Sequence, residues 1–85
     1  MHESSLIPDL IAKITALASE NGSKRVTAVE VTIGALTGMD PDHLREHFVT
    51  AAAGTVAEGA DLRCRISDDP LSSAIILESL ELESL

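Results

Sequence analysis

Eighty-five residues carry 14 Asp plus Glu against 6 Lys plus Arg, and the resulting net charge of -8 repels phosphate backbones. Phe48 is the only aromatic residue, so no platform for base stacking exists, and together these features exclude nucleic acid as a partner. The length allows one domain, residues 1–85, with a core that removes only about 60% of the surface its unfolded chain exposes, so a partner or homo-oligomer formation would add usefully to stability.

The first element is a helix over Ser5 to Glu20, where Leu6, Ile7, Leu10, Ile11, Ile14 and Leu17 recur at helical spacing. Ser4 or Ser5 can cap it, Pro8 falls in the first turn where its missing N–H costs nothing, and Asn21-Gly22 supplies a left-handed stop. From Arg25 to Ile33 the pattern alternates, placing Thr27, Val29, Val31 and Ile33 on a core face and Ala28, Glu30 and Thr32 on the other, as in a half-buried strand. Gly34 to Gly38 form a connector, and Asp40-Pro41 is an N-cap and first-turn pair for a second helix that ends near Gly54, with Leu44, Phe48, Ala51 and Ala52 as its core face.

Alternation returns over Asp61 to Ser67, with Leu62, Cys64 and Ile66 inward and Arg63 and Arg65 outward. Asp68-Asp69-Pro70 with Ser72-Ser73 reads as a turn, and Ala74 to Glu83 as a third strand antiparallel to the second. Ile75 and Leu77 are out of phase with Leu80 and Leu82, so a bulge near Glu78 and Ser79 is required to keep both pairs on the core. The order helix, strand, helix, strand, strand predicts an α+β fold in which two helices pack on one face of a three-stranded mixed sheet.

No apolar run approaches the roughly 20 residues of a membrane span, and the N-terminus lacks a basic segment followed by an apolar one, which points to a cytoplasmic protein with no membrane partner. Cys64 stands alone, so neither an internal disulfide nor a thiolate zinc site can form from this chain. Metal chemistry must then come from His, carboxylate or a terminal amine. Met1-His2-Glu3 offers such a set: the free amine of Met1, the deprotonated backbone amide of His2 and the His2 imidazole form two fused chelate rings, and planar nitrogen donors suit Ni(II) or Cu(II). The initiator Met is removed chiefly before small residues, so Met1 is expected to stay. The fourth position is open to the Glu3 carboxylate, a water or a side chain of a partner. Standing alone, a three-residue terminus of this kind is more often an arbitrary frayed start than a ligand.

The whole pattern changes that weighting. Met1-His2-Glu3-Ser4-Ser5-Leu6, then Val29-Glu30-Val31-Thr32-Ile33-Gly34-Ala35-Leu36-Thr37-Gly38-Met39-Asp40-Pro41 with Leu44 and Phe48, then Gly54 to Leu62, and finally Leu77 to Glu83, resemble in order the hydrogenase nickel-incorporation family (HypA/HybF). The resemblance implies a metallochaperone for maturation of [NiFe]-hydrogenase, and in some organisms urease, that works with a hydrogenase maturation GTPase and the hydrogenase large subunit. It also implies that His2 is a nickel ligand, with Met1 and Glu3 at the flanking positions. One departure is large: members of that family insert a zinc domain with two CxxC pairs between the last two strands, where this chain has only a turn near 68–73 without cysteine, so zinc is not expected.

His43 and His47, at i and i+4 on the second helix, have a spacing that can clamp a metal, although solvated surface histidines are the simpler reading. Cys64, alternating with Leu62 and Ile66, reads as a small buried hydrophobe in preference to a ligand, and Glu78, Glu81 and Glu83 as the solvated side of an edge strand. No Ser/His/Asp or Cys/His set and no Gly-rich phosphate loop supports an enzyme. The leading reading is a nickel-delivery protein; the runner-up is a protein-interaction module that keeps the fold of the family without metal delivery.

Overall fold

A computed structural model describes residues 6–83 of the protein. Helix α1 (Leu6–Glu20) is followed by strand β1 (Val26–Ile33), helix α2 (Pro41–Ala52), strand β2 (Asp61–Ile66) and strand β3 (Ile75–Leu82), with a short 3-10 turn at Ala35–Thr37. The strands form one mixed sheet in the order β2-β1-β3. β2 runs parallel to β1 and β3 antiparallel to it. The predicted α+β architecture is therefore the one observed.

Local signals set the helix ends. α1 stops where Gly22 takes φ 69°, and the amides of Ser23 and Gly22 donate back to the carbonyls of Ala18 and Ser19, closing the last orphan carbonyls of the helix. α2 starts at Asp40, whose side chain accepts from the Asp42 amide, with Pro41 at the first helical position. The proposed caps of α1, Ser4 and Ser5, lie outside the described residues.

Core packing follows from these placements. Leu10, Ile11, Ile14 and Ala18 of α1 and Leu44, Phe48 and Ala52 of α2 close over Val26, Val29, Val31, Ile33 and Leu62 of the sheet. The period of α2 runs 44, 48, 52, which leaves Ala51, expected in the core, exposed one position off the stripe. Ala18 and Val26, which the apolar patterns did not single out, are fully buried.

Two expectations about the strands need correction. Thr27 is exposed and Val26 takes its place in the core, because a register shift between Val26 and Ala28 turns the first residues of β1; the freed Thr27 hydroxyl donates to the Glu81 carbonyl at 3.1 Å. β3 is indeed antiparallel to β2 in direction, but its bonded neighbour is β1 and the two never pair. β1 is the central strand, bonded along both edges, and Ala28 and Thr32 on its second face are buried with it. The bulge required between the Leu77 and Leu80 pairs is present. Glu30 faces Ser79 and Val31 faces Leu77, so Glu78 is the extra residue, and Ile75, Leu77 and Leu80 oppose Ile33, Val31 and Val29.

The connection between β2 and β3 crosses the end of β1 instead of making a hairpin. Ser67 donates to the Ile33 carbonyl at 2.8 Å, Gly34 to Ala74 at 2.7 Å and Leu36 to Ser72 at 2.8 Å. A side chain on Gly34 would meet the Ser72 carbonyl oxygen at 2.6 Å. Gly34 has an ordinary extended backbone, so close approach and not turn geometry requires glycine there.

Candidate metal centre

The sequence places its first-choice ligands at Met1, His2 and Glu3, which lie outside the described residues. What the structure describes is the wall to which that segment is joined. The first turn of α1, at Ile7 and Pro8, faces the first two turns of α2 across an open groove of about 970 Å³. Met39, Asp40, His43 and His47 also line it. The groove exists because Asp40-Pro41 starts α2 immediately after the Gly38 turn, where φ is 67°, so that the exposed side of α2 opens beside α1 while Leu44 and Phe48 face the core.

The two histidines meet on that wall. Their Nε2 atoms stand 2.8 Å apart and their ring centroids 4.5 Å apart, with the planes tilted by 48°. The contact is a hydrogen bond between the two ring nitrogens, with the donor set by the tautomer. Asp42 is engaged elsewhere, its carboxylate paired with the Arg45 guanidinium at 2.9 Å, while Arg45 Nε donates to the Leu62 carbonyl at 2.9 Å and ties α2 to β2. Among the described residues no three His, Cys, Asp or Glu side chains converge into a metal cluster.

Cys64 is half-buried on the helix-facing side of β2, not enclosed as the alternation suggested. β2 is an edge strand packed beneath α2, with Leu62 buried while Ile66, at the far end, is 45% exposed. Burial nevertheless pushes the Cys64 thiol above its ordinary range, against the smaller opposing pull of the Arg45 charge. That suits a packing residue better than a reactive one. The open face of the sheet is polar. Arg63 bonds Asp61 at 3.1 Å and reaches Glu81 at 3.5 Å, both of which hold its guanidinium protonated, and Thr32 donates to Glu78 at 2.7 Å. The acidic residues of β3 are thus on the solvated side of an edge strand, as expected.

Fold and site together define a small α+β protein with a nitrogen-donor groove between its helix starts. A protein-family model described as hydrogenase/urease nickel incorporation, metallochaperone, HypA matches residues 1–71. The hydrogenase maturation factor HypA of Chlorobium limicola is 44% identical over 62 residues, covering 73% of this chain and 53% of that protein. HypA of Aquifex aeolicus is 47% identical over 62 residues, 73% of this chain and 54% of that protein. The chain belongs to the HypA family, and it spans about half the length of these curated relatives. The solution structure of the Ni metallochaperone HypA from Helicobacter pylori has a TM-score of 0.68 over 99% of this chain and 95% of that one, at 22% identity, and shares the fold.

Proposed function

We propose that this chain is a non-catalytic nickel carrier of the cytoplasm that takes part in hydrogenase maturation, binding Ni(II) as cargo through Met1, His2 and Glu3. The observation that carries the reading is the family match, which begins at residue 1 and so includes the Met-His-Glu start. Chemistry supports it. An amine, a deprotonated amide and an imidazole form a planar nitrogen set that favours Ni(II) over hard cations, and a fourth position left to Glu3, water or a partner donor gives a route for passing the ion on. The recipients by this reading are a hydrogenase maturation GTPase and the hydrogenase large subunit, with urease as a further client suggested by the family description. The net charge of -8 favours approach of a divalent cation.

The domain is proposed to hold together without structural zinc, since Cys64 is the only cysteine and β2 and β3 are joined by eight residues, 67–74. That short connection, where the resemblance implies a zinc domain, is also what favours the second reading, an interaction module that has lost delivery. Nickel titration of the protein with a native N-terminus separates the two. The carrier reading expects one tight equivalent that His2→Ala abolishes, in a preparation free of stoichiometric zinc. Absence of a tight nickel equivalent from the native-ended protein, with the fold intact, would replace the carrier with the module.

A further inference from the structure

We propose that His43 and His47 form a second metal site, a two-imidazole chelate for a borderline divalent ion of the nickel or copper type, on the α2 wall of the groove. Three observations carry it. The Nε2 atoms are 2.8 Å apart. Two nitrogens bound at right angles to one planar metal, each about 2.0 Å from it, stand about 2.8 Å from each other, so the pair has the separation of cis ligands and needs only rotation of the rings to aim both lone pairs at a shared point. Helical spacing i, i+4 holds both side chains on one face in register, so the ordering cost of bringing two donors together is already met by α2. Finally, neither ring is committed elsewhere: among the described residues their one hydrogen-bonding partner is each other.

The surroundings fix the character of the site. Both rings are exposed, beside Met39 and across from the apolar first turn of α1. No third His, Cys, Asp or Glu of the described residues joins them. The remaining coordination positions therefore belong to water or to donors of another molecule, which makes the ion weakly held and exchangeable. Soft and borderline ions are selected over Mg(II) and Ca(II), because imidazole nitrogen replaces the oxygen ligands that those hard cations require. This site stands whether or not Met1-His2-Glu3 binds nickel.

The test uses the full chain with extra residues before Met1, which converts the terminal amine into a peptide nitrogen, and follows Ni(II) and separately Cu(II) by calorimetry and by the ring signals of His43 and His47 in NMR. The extended chain is expected to take up one equivalent, to move or broaden both ring signals together, and to lose that uptake at least about tenfold in affinity in either His43→Ala or His47→Ala. Mg(II) should leave the rings untouched. Because both histidines are exposed, the variants are expected to melt with the parent, and His43→Gln, which keeps a polar side chain but no imidazole, serves as a second form. Uptake that bypasses the two rings, or a His43→Ala/His47→Ala double variant that binds as the parent does, overturns the proposal. Loss of the N-terminal equivalent on extension, with the ring response unchanged, would show the two sites to be separate, and loss of the ring response alone would leave the carrier reading of the N-terminus in place.

Discussion

The two sides of α2 teach different lessons. One side, Leu44, Phe48 and Ala52, is buried against the sheet and α1 and answers to shape: every position is apolar and almost no surface remains. The other, one residue out of phase, carries His43, His47 and Ala51 into an open groove and answers to chemistry. Adjacent residues on one helix thus belong to regions under different constraints. Stability should be sensitive on the first side and nearly indifferent on the second, and metal binding the reverse.

The largest effect should come from Phe48→Ala. Phe48 is 1% exposed and is the largest fully buried side chain among the described residues, so truncation leaves a cavity and is expected to destabilise the fold by about 3–5 kcal/mol in denaturant titration. In a domain this small such a loss takes most of the available stability. A change under about 1 kcal/mol would mean the core side of α2 is loosely packed and the comparison fails. Gly34→Ala comes next, at about 1–3 kcal/mol, because the new methyl would overlap the Ser72 carbonyl of the β2–β3 connection at 2.6 Å and the backbone must shift. Unchanged stability there would show that the crossing segment yields easily. The smallest is at Cys64. Its raised thiol pKa leaves less thiolate at a given pH, so labelling should run several-fold slower in the native than in the unfolded chain, and Cys64→Ala should leave nickel uptake unchanged. A fall in nickel affinity for that variant would make Cys64 a ligand.

Much of the fold was legible because its signals are local. The Gly22 stop, the Asp40-Pro41 start and the Glu78 bulge each follow from a few neighbouring residues, and each is found where the pattern put it. The misses concern partners distant in sequence. Alternation reports which face a residue takes but not which strand lies beside it, so the position of β3 against β1, and with it the edge exposure of Ile66 and Cys64, could not be read from β2 and β3 alone. The exposure of Thr27 has the same source: a bulge at the start of β1 depends on how β3 docks there, and it brings Val26 inward in place of Thr27. At the site, spacing put His43 and His47 on one helix face, and only the coordinates bring their Nε2 atoms to 2.8 Å.

The central claim is that nickel is held by the amino terminus itself, and lengthening the chain before Met1 tests it most directly, since every side chain stays in place while the primary amine becomes a peptide nitrogen. Nickel titrated at neutral pH into the native-ended protein, the extended protein and His2→Ala should give one tight equivalent for the first and comparable loss of it for the other two. With an amine pKa of about 7.7 to 8.0, binding displaces a proton, and affinity for the native-ended protein should fall as pH drops below about 7. An extended protein that binds its first nickel as tightly as the native-ended one, with no such pH dependence, would contradict the account.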